Sequence, residues 1–210
     1  MKRLYLTSSV RMVANRIAQD FNLKSGNNSL VFIATATEDK ERVDRSWIES
    51  DRDCLKDAGF EVFDYTIAGK NEDEIRNDLK DVDFIYVEGG NTYYLLEKAQ
   101  QSGFVKVIRD FVLEEDKVYI GTSAGSIIAS RDTFPAQKLD DVTLAPDLSG
   151  YEGFGLVDFT VLPHWGSDKF TDLYLPEGIA HTYKGNSQLI ILRDNQYVEV
   201  KDDWYRIVEV

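Results

Sequence analysis

The chain has 210 residues, 43% hydrophobic and 29% charged, the balance of a globular domain large enough for one well-packed core. Its 37 acidic and 24 basic residues leave a formal net charge of −13, which speaks against nucleic acid and anionic membrane surfaces as partners. Cys54 is the single cysteine, so no internal disulfide can form, and no run approaches the ~20 apolar residues of a membrane span. The opening Met1-Lys2-Arg3-Leu4-Tyr5-Leu6-Thr7 is too short an apolar run for a signal peptide. These features lead us to expect a single domain over residues 1–210 in a reducing cytoplasm.

In chain order, Leu4 to Thr7 reads as a first strand, and Val10, Val13, Ile17 and Phe21 recur near helical spacing. Gly26-Asn27-Asn28 reads as a turn. Leu30 to Ala34 is a continuous apolar strand, as expected where both faces of a sheet are covered. Glu38 to Ala58 is charged and helical in character, with Gly59 as its stop. Glu61 to Thr66 is a third strand, Asp73 to Leu79 a short helix, and Phe84 to Val87 a fourth strand ending in Glu88-Gly89-Gly90-Asn91-Thr92. Two helices, Tyr93 to Ala99 and Phe104 to Leu113, are separated by Gly103. Phe134 to Gly155 is rich in Asp, Pro and Gly and reads as an irregular excursion. Val157 to Leu162 is a strand running into Pro163-His164-Trp165. Leu189 to Leu192 and Tyr197 to Val200 read as a hairpin around Arg193 to Gln196, and Trp204 to Val208 as a last edge strand. Strands alternating with helices indicate an α/β fold with a mainly parallel sheet and helices on both faces. Ligands of such sheets bind beyond the carboxyl ends of the strands. The loops expected to meet there are Thr7-Ser8-Ser9, Thr35-Ala36-Thr37, Glu88 to Thr92, the turn after the strand Val118 to Ile120, and Pro163-His164-Trp165.

That turn carries the chemistry. Gly121-Thr122-Ser123-Ala124-Gly125 matches the G-x-S-x-G elbow between a buried strand and an apolar helix. So tight a turn strains its central residue, and a side chain at Gly121 or Gly125 would clash across it. Ser123 is the candidate nucleophile, with the Ala124 N–H as an oxyanion donor. A serine hydroxyl needs an adjacent base. Of the two histidines, His164 ends a strand and should share a sheet edge with Ser123, whereas His181 lies in a polar stretch and reads as a solvated surface residue. The imidazole needs an acid to set its tautomer. Asp140, Asp141, Asp147 and Asp194 all remain open from the residues alone. Gly89-Gly90 offers the second oxyanion donor, with Gly90 N–H preferred, because backbone without a Cβ can approach a substrate closely. Asn91 or Thr92 would equally serve as a helix N-cap. No dinucleotide or Walker fingerprint occurs, and the acidic residues lack His or Cys companions at metal-ligand spacing, so neither cofactor nor metal is expected.

Val87-Glu88-Gly89-Gly90-Asn91-Thr92, Gly121-Thr122-Ser123-Ala124-Gly125 and Leu162-Pro163-His164, in this order, resemble the dipeptidase E and cyanophycinase family of serine peptidases. The resemblance spans essentially the whole chain. It implies a class I glutamine amidotransferase-like fold, Ser123 as nucleophile, His164 as base, and Gly90 with Ala124 as oxyanion donors. The family's acid is a late glutamate. Leu175-Pro176-Glu177-Gly178 matches its surrounding letters, whereas Leu192-Arg193-Asp194-Asn195 matches its place, with Asp for Glu; position favours Asp194. Asn91, Trp165 and Lys169 adjoin these motifs and are taken as substrate contacts. Dipeptidase E reads an N-terminal aspartate with a basic residue beyond its histidine. Here Gly166 to Asp172 holds no arginine and only Lys169, so that preference does not transfer directly. The expected function is hydrolysis of short peptides by a cytoplasmic serine peptidase, with a homodimer as the expected assembly. The alternatives are an amidase or esterase on a non-peptide substrate, and a non-catalytic binding or regulatory module. A true amidotransferase is disfavoured, because Ser123 stands where that chemistry uses cysteine.

Overall fold

The computed structural model describes residues 1–23, 28–38, 45–175, 177–185 and 187–210. Five strands form the parallel part of the large sheet: β1 (Arg3–Thr7), β2 (Ser29–Ile33), β3 (Glu61–Tyr65), β4 (Phe84–Val87) and β5 (Val118–Thr122). A second, two-stranded parallel sheet pairs β6 (Phe159–Leu162) with β7 (Gln188–Ile191). The chain then returns to the large sheet as β8 (Gln196–Lys201), antiparallel to β1, and ends in β9 (Trp204–Glu209) at the edge. The large sheet runs β3-β2-β4-β5-β1-β8-β9.

Strand side chains alternate between two cores, as the two-residue period of a strand requires. On one face Leu4, Leu6, Val31, Ile33, Ile85 and Val87 pack against α3 (Glu72–Leu79), α4 (Thr92–Ser102), α5 (Phe104–Leu113) and α6 (Ala124–Ile128). On the other, Tyr5, Leu30, Phe32, Phe84, Tyr86 and Ile120 meet α1 (Val10–Ala18) and α2 (Ser46–Asp57). Helices therefore cover both faces, and the central strands are apolar throughout because neither of their faces meets water. The helix expected from residue 38 begins at Ser46, and residues 39–44 lie outside the described residues, as do Gly26 and Asn27 of the expected turn. Two short helices, α7 (Thr171–Tyr174) and α8 (Glu177–Thr182), follow β6.

Two expectations are corrected. The segments on either side of Arg193 to Gln196 do not form a hairpin with each other. A turn is present, closed by the Gln196 N–H to Arg193 O bond at 3.0 Å, but the chain uses it to pass from the small sheet to the large one. Nor is His181 a solvated residue: its ring stacks on Phe134 at 4.4 Å, and Nε2 lies 3.2 Å from Phe134 O.

Candidate active site

β5 ends in Gly121 and Thr122, and α6 starts immediately after Ser123, which is left at φ +50°, ψ −113°. A non-glycine residue adopts such a conformation only where its surroundings over-determine it. Here they do. Ser123 N–H donates to Thr7 O at 3.1 Å, and Ser126 Oγ donates within reach of both Thr7 O (2.7 Å) and Gly121 O (2.8 Å). A Cβ on Gly121 would stand 2.5 Å from Gly125 O, and one on Gly125 would stand 2.0 Å from Val87 O. Both positions therefore demand glycine, as the elbow reading requires.

Two loops meet Ser123. After β4, Gly89 packs so closely that a Cβ there would lie 3.1 Å from Ser123 Cβ. The Gly89 N–H is already taken by the Glu88 carboxyl at 2.6 Å. Gly90, at φ +145°, has room for no side chain, since a Cβ would meet Ala36 O at 2.4 Å. Among the described residues neither Gly90 N–H nor Ala124 N–H has a backbone acceptor in the turns and loops around the elbow. The other loop comes from the small sheet. Beyond the strand ends, Leu192 N–H donates to Leu162 O and Trp165 N–H donates to Leu192 O, each at 2.9 Å. This extension of the β6–β7 ladder sets His164 beside Asp194. His164 Nε2 lies 3.0 Å from Ser123 Oγ, and Nδ1 lies 2.7 Å from Asp194 Oδ1. Phe170 stacks on the imidazole at 4.3 Å and fixes the plane of the ring. The hydrogen bond to His164 holds the Asp194 carboxyl below its ordinary pKa, a bond from Ser8 adds to this, and partial burial opposes it.

These groups open onto a cleft of about 650 Å³. Serine, imidazole and carboxylate in a hydrogen-bonded line, with free N–H groups beside the hydroxyl, are equipped for acyl transfer.

The sequence model of peptidase family S51 matches residues 5–208. The chain belongs to peptidase family S51. It is thus a peptidase, and a serine hydrolase by class. An uncharacterized peptidase of Listeria monocytogenes is 32% identical over 96% of this chain and 95% of its own length. A Drosophila melanogaster protein named as a probable alpha-aspartyl dipeptidase is 29% identical over 68% of this chain and 55% of its own. A 1.5 Å crystal structure of a Listeria monocytogenes protein, named as a candidate peptidase E, superposes with a TM-score of 0.88 at 29% identity, covering 100% of this chain and 99% of that one.

The remaining candidates of this S51 peptidase fall in different places. Asp140 accepts from Thr92 N–H at 3.0 Å and from Thr92 Oγ1 at 2.5 Å, and Asp141 caps its own turn through Thr143. Asp147 and Glu177 are exposed and do not line the cleft. Asn91 reaches the cleft wall, but its side chain caps α4 through Tyr93 and Tyr94 N–H and donates to Asp141 O. Lys169 lines the cleft and is exposed. Trp165, expected at the substrate, packs edge-on against Tyr174 at 5.4 Å and does not line the cleft.

Sequence reasoning missed Arg11, Trp47 and Asp51, and placed Glu88 only as the start of its loop; all four form part of the cleft wall. Arg11 Nε stands 2.8 Å from the buried Asp51 Oδ1 as an ion pair, off the hydrogen-bonding direction, since that oxygen has no hydrogen-bond partner among the described residues. Burial pushes Asp51 up to about 6 against the pull of Arg11. Burial and the neighbouring Asp51 raise Glu88 well above the usual carboxylate range. Arg11 and Asp51 sit on helices whose charges read as solvated faces, so nothing local marked them. Among the described residues there is no group of three or more His, Cys, Asp or Glu placed to hold a metal ion, and no helix long and apolar enough to cross a membrane.

Proposed function

We propose that this S51 peptidase hydrolyses short peptides through a Ser123–His164–Asp194 triad and an acyl-enzyme. One observation carries the reading: the unbroken line from Ser123 Oγ through His164 Nε2 and Nδ1 to Asp194 Oδ1, at 3.0 and 2.7 Å. Ser123 Oγ attacks the peptide carbonyl carbon while His164 Nε2 accepts its proton. The N–H groups of Gly90 and Ala124 receive the oxyanion, a contribution worth about 10²–10³-fold in kcat per donor. Asp194, kept ionised, accepts Nδ1–H, holds the productive tautomer and stabilises the imidazolium. Collapse of the tetrahedral intermediate breaks the C–N bond, and His164 returns the proton to the departing amine. Water then attacks the Ser123 ester by the same proton route in reverse, releasing the acid.

The cleft volume suits a peptide of a few residues, and Lys169, its cation outside the Arg11–Asp51 pair, makes an acidic side chain at the scissile residue the first to test. A single-domain enzyme over residues 1–210, cytoplasmic and homodimeric, completes the reading; sedimentation velocity tests the assembly. A fluorophosphonate should label Ser123 in the wild type and nothing in Ser123→Ala. A library of Asp-X, Glu-X and neutral X-X dipeptides should then give turnover that tracks labelling. Absence of both labelling and turnover in folded protein would refute the proposal.

A further inference from the structure

Ser8 follows β1 and is completely buried, yet the reaction written above assigns it nothing. Its hydroxyl sits where the two sheets meet. His164 N–H donates to Ser8 Oγ at 2.7 Å, and Ser8 Oγ donates to Asp194 Oδ1 at 2.7 Å. A hydroxyl has one proton, and an ionised carboxylate can only accept. The direction of both bonds is therefore determined. The same Oδ1 also receives His164 Nδ1, which closes a ring of hydrogen bonds through Ser8, Asp194 and both the backbone and the imidazole of His164.

We propose that Ser8 is a positioning residue of this peptidase, a staple that locks base to acid and ties both to the sheet that carries the nucleophile. The inference rests on the triad reading. Ser123 rides on β5 of the large sheet, beside β1, whereas His164 and Asp194 ride on extensions of the small sheet. Ser8 is the side chain that bonds to both base and acid from the β1 end. His164 stands at φ +63°, a conformation that a side-chain-bearing residue holds only under external constraint. The Ser8 hydroxyl supplies it by accepting the His164 N–H. Its bond to Asp194 keeps the carboxylate ionised and turned toward Nδ1, which agrees with the lowered pKa of that acid. Without Ser8, the ring could swing away from Ser123 while every triad member remained present.

Ser8→Ala should fold and lower kcat about 10–100-fold with KM nearly unchanged, because hydrogen bonds to a charged group lie in that range. The acidic limb of the kcat/KM profile should move to lower pH, since a carboxylate no longer held toward Nδ1 stabilises the imidazolium less. Ser8→Thr, which keeps the hydroxyl, should recover most of the rate. In an Asp194→Ala background, Ser8→Ala should add little, because the two act through the same imidazole. If Ser8→Ala proves unable to fold, Ser8→Cys, close in size and a poor donor, gives the same comparison. Wild-type kcat with an unmoved pH profile would overturn the proposal, as would a loss that is fully additive with Asp194→Ala. Those results would leave the triad standing, whereas turnover surviving in Ser123→Ala would remove the triad itself.

Discussion

Gly125→Ala tests whether the elbow and the Gly89-Gly90 loop form one rigid unit. The new Cβ would lie 2.0 Å from Val87 O, 2.8 Å from Val87 C and 3.2 Å from Val87 Cβ. Carbon–oxygen contacts sit at about 3.3 Å or more, so roughly 1.3 Å must open between the first turn of α6 and the end of β4. The obstructing oxygen is backbone in a central strand and cannot swing aside like a side-chain tip. Overpacking of this kind costs about 1–3 kcal/mol. For a domain of this size that lowers Tm by roughly 2–12 °C. The strain falls between the two proposed oxyanion donors, because Gly90 follows β4 and Ala124 opens α6. A misplacement on the order of 1 Å at such a site costs about 10²-fold in rate. The variant should therefore lose kcat on the preferred dipeptide, and fluorophosphonate labelling of Ser123 should slow in parallel. Gly150→Ala is the control. Nothing lies within 4 Å of its Cβ position, and its φ is outside the left-handed region. It should be neutral or stabilise by about 0.4–1 kcal/mol through the unfolded chain. A Gly125→Ala protein with wild-type Tm and kcat would refute the reasoning.

Ser123→Ala and His164→Ala should each lower kcat by about 10³-fold or more, and the double variant should be barely worse than either, because in the proposed triad the two act as a unit. His181→Ala should keep turnover and lose only stability, through its stack on Phe134; an inactive His181→Ala would reverse the assignment of the base. Asp194→Asn should retain more kcat than Ser123→Ala, since an amide oxygen can still accept from both Ser8 and His164, and equal loss in the two variants would contradict this geometry. Asp51 titrates at about 6 in the fold against 3.8 in the open chain, so the native state binds its proton more tightly. The stability this confers is complete below about pH 4 and is lost as pH rises through about 6. Asp51→Asn, which cannot ionise, should gain on the wild type as pH rises from about 4.5 to about 7.5 in urea unfolding; a gap that narrows with rising pH has the wrong sign.

The features legible in the sequence are those set by neighbours in the chain. Apolar runs at 30–34 and 84–87 marked buried strands, because a strand covered on both faces has no polar side to show. Gly121 and Gly125 marked the elbow, because a tight strand-to-helix turn leaves no space for a Cβ at either position. Those local demands made Ser123 and the Gly89-Gly90 loop readable without coordinates. What remained was a matter of which distant segments meet. The turn at Arg193 to Gln196 has the residues of a hairpin loop, and only the tertiary structure decides that β7 pairs in parallel with β6 while β8 joins β1. Which strand a segment pairs with in parallel has no local sequence signature, since the partners are brought together by a long crossover. That choice sets Asp194 beside His164, ahead of Asp140, which is occupied at Thr92. Arg11 and Asp51 were unreadable for the same reason, and Ser8 and Glu88 were placed at the site only as parts of their loops, with no partner to read. A serine after a strand, or a charge on a helix, looks solvated until the fold buries it against a partner far along the chain.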